Sequence, residues 1–400
     1  MVQVRNRPGS YYQSGTFTAV LHGQPLQIVS KPGLSNWDRI TPATVLLAET
    51  VEVAPDAQVL QLGCGHGALG AALARQVPGG HVVLMDIDFI ALTMAEQTLK
   101  SNGAANAQVR PAISVLPDGA GAFDTVAMEL PKGRKLARRW LVEAQAALKP
   151  GGALYLAGAN EQGIQPAIQD TAALFGGAAV LRYKKGNRVA RAAAGRAAPA
   201  ADQPGWAGEA GIAPGTWREF EVVVRGYALH LRSLPGVFAF DDELDEGTRL
   251  LLDCLDVAPG AQAVLDMGCG YGIIGLVAAR LGASHVDMVD VNLLAIASAR
   301  ENIAANGIAN AEAFLSDAFS AVGNRRYDLI ASNPPFHTGK SVDYAVAHAF
   351  IEHARATLKP GGRLLLVANK FIRYDQLMRT TFNTVECLVE TNKYHVLRGF

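Results

Sequence analysis

Apolar and polar positions in the second half of the chain fall into blocks of two lengths. Ala263–Met267 is a short apolar run ending on a glycine cluster, the pattern of a buried strand. Ile273–Leu281 follows as an amphipathic or buried helix. His285–Val289 predicts the next strand, Leu293–Ala305 a helix and Leu329–Ser332 another strand. A helix over 344–358 then runs into a Pro-Gly-Gly turn, and Arg363–Ala368 reads as one more buried strand. Alternation of this kind predicts an α/β fold: an open, mostly parallel sheet with helices on both faces.

The pattern is written twice. Val59-Leu60-Gln61-Leu62-Gly63-Cys64-Gly65-His66-Gly67 matches Val264-Leu265-Asp266-Met267-Gly268-Cys269-Gly270-Tyr271-Gly272 at an offset of 205. Met85-Asp86-Ile87-Asp88 matches Val289-Asp290-Val291-Asn292, and Asn102-Gly103 matches Asn306-Gly307, both at 204. Leu148-Lys149-Pro150-Gly151-Gly152 matches Leu358-Lys359-Pro360-Gly361-Gly362 at 210. So small a drift means two copies of one fold. Ala192–Gly215, built from Ala, Gly and Pro with little to bury, reads as a flexible linker or surface loop. The expected organisation is a first domain over 1–190, a linker over 191–216 and a second domain over 217–400.

Composition agrees with two filled cores. The chain has 400 residues, half of them apolar and 18% charged. No apolar stretch reaches the ~18 residues of a membrane span, and the start lacks the apolar region of a secretory signal. The expected location is the cytoplasm. Cys64, Cys254, Cys269 and Cys387 have neither C-x-x-C nor other metal-ligand spacing, so small packed thiols are expected and no metal. Net charge is zero, but residues 1–200 carry 19 Lys+Arg against 13 Asp+Glu and residues 201–400 carry 17 against 23. The basic excess lies in Lys132, Arg134, Lys135, Arg138 and Arg139, and in Arg182, Lys184, Lys185, Arg188, Arg191 and Arg196. Such asymmetry fits a nucleic-acid footprint on the first half, or a solvated helix face plus a basic loop.

Asp266-x-Gly268-x-Gly270-x-Gly272 lies between a predicted strand and helix, where glycines let the backbone turn sharply and approach a ligand. The G-x-G-x-G spacing, with Asp290 at the end of the next strand to accept from two ribose hydroxyls, favours S-adenosylmethionine as cofactor. Asp317, after the following strand, is placed to accept an adenine amino group, and equally to cap a helix from Ala318.

Asn333-Pro334-Pro335-Phe336 ends the predicted strand Leu329–Ser332. The Asn side-chain oxygen and the first proline carbonyl together can accept both hydrogens of an amino group, drawing its nitrogen toward tetrahedral geometry and freeing its lone pair. Prolines have fixed φ and no N–H, so those carbonyls stay pointed outward. The aromatic offers the substrate plane a face to stack on. His337 and Lys340 lie just beyond, in reach of a flanking phosphate or base edge.

The set resembles the class I S-adenosylmethionine-dependent methyltransferases, and within them the tandem-domain guanine-N2 methyltransferases of ribosomal RNA (RsmC-like). The resemblance spans nearly the whole chain. It includes Leu234-Pro235-Gly236-Val237-Phe238, Leu244-Asp245-Glu246-Gly247-Thr248, the glycine loop, Asn333-Pro334-Pro335-Phe336-His337-x-Gly339 and the tail Lys393-Tyr394-x-Val396-Leu397. It implies two tandem Rossmann-like methyltransferase domains, a catalytic second copy and a first copy that has lost catalysis. The residues agree: Asn333 corresponds to Glu129, Pro334 to Leu130, Pro335 to Pro131 and Phe336 to Lys132, while Asp266 is replaced by Gln61. The first copy is then expected to be a scaffold gripping RNA through Lys132, Arg134 and Lys135. Phe238 and Phe240 are candidates to cover the cofactor entrance.

The implied activity is methylation of a guanine N2 amino group in small-subunit (16S) ribosomal RNA, with the RNA or the subunit as partner and a monomeric enzyme. Three other readings stay open on the residues: N5-methylation of a protein glutamine, adenine-N6 methylation of nucleic acid, and a non-catalytic RNA-binding scaffold. The first of these usually has Tyr at the fourth clamp position.

Overall fold

A computed structural model describes residues 5–6, 10–116, 119–195, 203–241, 244–259, 262–334, 337–338, 341–342 and 344–400. They divide into two compact units, Met1–Trp217 and Arg218–Phe400.

The first unit begins with an antiparallel sheet of β1 (Arg5–Asn6), β2 (Gly15–Leu21) and β3 (Gln24–Ser30). Its main sheet is formed by β4 (Gln58–Leu62), β5 (His81–Met85), β6 (Ala107–Val109), β7 (Phe123–Glu129), β8 (Leu148–Ala159), β9 (Ala179–Lys184) and β10 (Asn187–Ala193), in the order β6-β5-β4-β7-β8-β10-β9. The helices are α1 (Pro42–Ala48), α2 (Ala68–Gln76), α3 (Phe89–Ser101), α4 (Arg134–Ala147) and α5 (Ile164–Phe175).

The second unit repeats the plan. The hairpin β11 (Arg218–Val224) and β12 (Tyr227–Ser233) precedes α6 (Glu246–Asp253). Then come β13 (Ala263–Met267), α7 (Ile273–Arg280), β14 (His285–Asp290), α8 (Leu293–Ala305), β15 (Ala311–Leu315) and β16 (Tyr327–Ser332). The short pair β17 (His337–Thr338) and β18 (Ser341–Val342) leads to α9 (Tyr344–Thr357), β19 (Leu358–Asn369), α10 (Tyr374–Arg379), β20 (Val385–Glu390) and β21 (Tyr394–Gly399). The sheet order is β15-β14-β13-β16-β19-β21-β20, with β21 antiparallel to both neighbours and the rest parallel. These are tandem Rossmann-like sheets.

Local chemistry sets the element ends. Asp245 caps α6 by accepting from the Thr248 amide at 2.9 Å, and Asn292 caps α8 by accepting from Leu294 at 2.9 Å. Leu265, Ile330, Leu364, Leu366 and Val289 from the strands meet Phe350, Ile351 and Met378 from the helices in one buried cluster. Each large aliphatic side chain so buried contributes roughly 1.5–3 kcal/mol.

The span 191–216, expected to be a flexible linker, is tied to the first unit wherever it is described. Strand β10 runs on to Ala193, and Ala207 and Ile212 are buried. Trp206 lies under the Arg138 guanidinium at 4.9 Å, and Arg139 donates to the Gly211 carbonyl at 2.9 Å. A few apolar anchors outweigh the Ala/Gly/Pro composition that suggested freedom.

Candidate active site

In an open α/β sheet ligands bind at the carboxyl ends of the strands, where the strand order reverses. Here that point is the crevice beyond β13 and β16. Met267 pairs with Ser332 in parallel register, and Ser332 Oγ donates to the Met267 carbonyl at 2.8 Å. Gly268 and Asn333 therefore leave the sheet side by side. Asp290 is the last residue of β14, and Asp317 follows β15 by two residues. The expected cofactor and clamp residues in the described chain thus gather on one edge.

The glycine loop is held from below and from the side. Gly268 and Cys269 donate to the Val289 carbonyl at 2.8 and 3.0 Å. The Asp290 carboxylate accepts from the Gly270 amide at 3.0 Å and the Asn292 amide at 2.9 Å. Burial raises the Asp290 pKa, and these amides work against the rise. Gly272 has φ +92°, a conformation that favours glycine, and a Cβ there would meet Met288 and Ala299. Among the described residues a Cβ at Gly270 would meet only Val237, at 4.0 Å, so there is room for a ligand against the loop at that position.

Asp266 is fully buried beneath the loop, where one carboxylate oxygen accepts from the Gly275 amide at 2.9 Å and the other has no hydrogen-bond partner among the described residues. Burial pushes its pKa up to about 7, with Gly275 opposing and Asp290 adding to the shift. It shapes the loop from within rather than lining the crevice. Asp317 sits in a turn, its amide donating to Ser320 Oγ at 3.1 Å, and no helix starts at Ala318.

Asn333 is held on this edge by two side-chain hydrogen bonds. Its Nδ2 donates to Asp245 Oδ2 at 3.1 Å and to Thr248 Oγ1 at 2.9 Å. A carboxylate accepts only, so this contact fixes which end of the amide is NH₂. Asn333 Oδ1 is left as the acceptor the side chain presents. Neither Asp245 nor Thr248 was assigned this part from the sequence; the available signal was Asp245-x-x-Thr248 recurring as Thr41-x-x-Thr44 at the same 204 offset.

Pro334 is described, and Pro335, Phe336, Gly339 and Lys340 lie outside the described residues. His337 is described only through the pairing of its strand with Val342. Phe238 and Phe240 part company: Phe238 is 59% exposed and Phe240 is buried. Asn292 Nδ2 donates to Gly236 O at 2.8 Å, holding the segment before Phe238 against the loop. Beyond β19 lies an open cavity of about 470 Å³ lined by Asn369, Lys370, Phe371, Asn392 and Lys393. Phe371 is 71% exposed there, and no motif in the sequence marks it.

The first unit keeps the loop and changes the clamp. Gly65 donates to Asp86 Oδ2 at 3.0 Å and Asp88 to Asp86 Oδ1 at 3.1 Å, as their counterparts do. At the Asn333 position, Glu129 accepts from Thr44 Oγ1 at 3.0 Å, and burial pushes its pKa up to about 7. The basic run near it is not one open cationic patch. Arg134 and Arg138 both pair with Asp170, at 2.8 and 3.0 Å, and Arg139 is buried against Glu143. That corrects the expectation of a free 132–139 cluster: helix spacing turns three of its arginines onto acids of the same unit. Lys132 remains exposed.

The methyltransferase small domain family model matches residues 25–191 and again 228–398. The ribosomal RNA small subunit methyltransferase C of Chromohalobacter salexigens is 37% identical over 67% of this chain and 76% of its own length. The protein of that name from Pseudoalteromonas atlantica is 30% identical over 89% of this chain and 98% of its own. Among solved structures, the T. thermophilus 16S rRNA N2 methyltransferase RsmC, in complex with AdoMet and guanosine, is 31% identical with a TM-score of 0.80, covering 98% of each chain.

Proposed function

The chain belongs to the methyltransferase small domain family, among the ribosomal RNA small subunit methyltransferase C proteins, and on that footing we propose that its second unit methylates the N2 amino group of a guanine in 16S ribosomal RNA. S-adenosylmethionine is the methyl donor. When bound, it supplies a sulfonium methyl, already a strong electrophile. The room at Gly270 fits a nucleoside lying against the loop, with Asp290 fixed by two amides at its side. Asp317 is assigned to the adenine end, and Asp266, Gly268 and Gly272 keep the loop in shape.

The observation that carries the reading is the locked amide of Asn333. Its Oδ1 and the Pro334 carbonyl accept the two hydrogens of the exocyclic amine. The acceptors face a nitrogen that becomes positive as the bond to carbon forms, so they hold the transition state better than the ground state. Asparagine is no base at neutral pH, and the surplus proton passes to water after transfer. Phe336 is assigned to stack on the guanine, with Pro335 stiffening the turn and His337 and Lys340 meeting flanking groups. Phe371 offers a face to a second, unpaired base. The protein is taken as a monomer, its own tandem pair replacing a dimer. Lys132, Arg134 and Lys135 keep at most an auxiliary part in RNA contact.

The test is transfer of a labelled methyl group to 16S rRNA, assembled small subunits, DNA or a release-factor protein, followed by nucleoside mass spectrometry. N2-methylguanosine in the RNA is expected. Label on protein alone, or methyladenosine as the product, overturns the proposal.

A further inference from the structure

We propose that the β9–β10 hairpin of the first unit is the surface that grips the phosphate backbone of the RNA. The inference rests on the reading of the chain as an rRNA methyltransferase and adds which surface of the first unit holds the substrate.

The hairpin is the outermost pair of the first sheet, and all six residues of β9 are exposed. From 176 to 195 the chain carries five cations, Arg182, Lys184, Lys185, Arg188 and Arg191, and no Asp or Glu. Arg182, Lys184 and Lys185 have no acidic partner among the described residues. Arg188 lies over the Tyr183 ring at 4.6 Å and donates to Asn160 Oδ1 at 3.0 Å, which orients its guanidinium without neutralising it.

Register distributes the charge. Tyr183 stands opposite Arg188, whereas Arg182 stands opposite Val189 and Lys184 opposite Asn187, so the cations occupy both faces of the ribbon. Lys185 and Gly186, both with positive φ, form the two-residue turn and put one more cation at its tip. An edge hairpin with cations on both faces and at its tip suits the phosphates of a strand running along that edge.

Cations on an edge strand also serve to prevent sheet-to-sheet aggregation. Two observations separate this hairpin from that use. It exposes Val180, Leu181 and Tyr183, the last 60% exposed, which an edge defended only against pairing would not do. The counterpart hairpin β20–β21 occupies the same edge of the second sheet and is neutralised: Glu386 pairs with Arg398 at 2.6 Å, and Glu390 pairs with Lys370. The duplicated fold therefore does not require the excess charge. Something specific to the first copy does, and a polyanion is its complement.

The test uses the full chain and protein-free 16S rRNA. Affinity is measured against salt for the parent, for Arg182→Ala/Lys184→Ala/Lys185→Ala and for Lys132→Ala/Lys135→Ala. Removing one cation that neutralises a phosphate lowers the slope of log affinity against log salt by roughly 0.7–0.9. The hairpin variant is expected to lose at least about tenfold in affinity and about 2 in slope. Its substitutions are all on exposed side chains, and an unchanged melting curve confirms folding. In the parent, Lys184 and Lys185 should be protected by RNA from amine-acylating reagents, a readout that needs no variant. Unchanged slope, a loss confined to Lys132→Ala/Lys135→Ala, or lysines that stay reactive overturns the proposal. So does weakening on assembled subunits alone, which would assign the hairpin to a ribosomal protein. Methyl transfer by the parent is scored separately, so failure of the proposed activity is distinguishable from failure of this surface.

Discussion

Asn333 and Asp245, 88 residues apart in the chain, are joined by a hydrogen bond of 3.1 Å from the amide nitrogen to the carboxylate. The side chain proposed to present an acceptor to the substrate is thereby oriented by the residue that caps α6. In the first unit Glu129 stands at the corresponding place, and its partner is Thr44 rather than the cap residue Thr41.

Removing the acceptor should slow the chemistry and spare the cofactor. By analogy with the loss of one preorganised group facing a developing charge, Asn333→Ala is expected to lower kcat by about 10²–10³-fold. Cofactor affinity, measured by calorimetry on the same protein, should stay within about twofold of the parent.

Orientation and capping are separable at Asp245. Asp245→Ala should lower stability by about 1 kcal/mol through loss of the cap, and lower kcat by about tenfold as the Asn333 amide becomes free to turn over. In the first unit Thr41 caps α1, the counterpart of α6, without hydrogen-bonding Glu129 at the clamp position. Asp245→Thr should therefore restore the melting temperature and leave kcat low. Recovery of both together would reduce the contact to a structural one.

Asp266 makes a signed prediction about pH. Its folded pKa, about 7, lies above the unfolded carboxylate value, so the folded chain retains a proton that the unfolded chain has released. Stability relative to a neutral side chain is then complete below about pH 4, falls as pH rises and levels off above about pH 7. Asp266→Asn keeps an acceptor for Gly275 and removes the charge. Without cofactor it should melt above the parent at pH 8, with the gap closing toward pH 4. A gap that does not change with pH would refute this account.

Arg139 is buried in an ion pair with Glu143 and donates to the carbonyls of Gly211 and Ile113. Arg139→Met leaves a carboxylate buried without its cation and should destabilise the first unit by about 3–5 kcal/mol, read from denaturant unfolding. Arg139→Met/Glu143→Leu should recover most of that loss. RNA affinity of the folded double variant should match the parent.

Phe371 should matter for substrate alone. Base stacking on an aromatic contributes roughly 1–3 kcal/mol, so Phe371→Ala is expected to raise KM for RNA about tenfold or more. Cofactor affinity and the melting temperature should stay as they were, since the ring is largely in solvent.

Much of this architecture was legible in the residues. The apolar run Ala263–Met267 and the segment Leu293–Ala305 are elements with those very bounds, because a glycine loop closes the first and Asn292 and Asn306 bracket the second. The repeat at a near-constant offset announced two sheets of one topology. Partnerships between distant side chains were not legible. Counting the cations of 132–139 gave a patch, whereas i, i+4 spacing on α4 turns Arg134 and Arg138 to Asp170 and pairs Arg139 with Glu143. The Ala/Gly/Pro-rich connection hid Trp206 and Ile212, two apolar side chains among many small ones. Nothing in a local window of the sequence says that Asp245 and Thr248 meet residue 333.

Because Asp245 Oδ2 receives the Thr248 backbone amide as well as the Asn333 side chain, fraying of the opening turn of α6 releases both at once. The exchange rate of that single backbone proton with deuterated solvent is therefore a gauge of how often the enzyme is momentarily unarmed. Solvents or temperatures that loosen the turn should silence turnover well before either sheet comes apart.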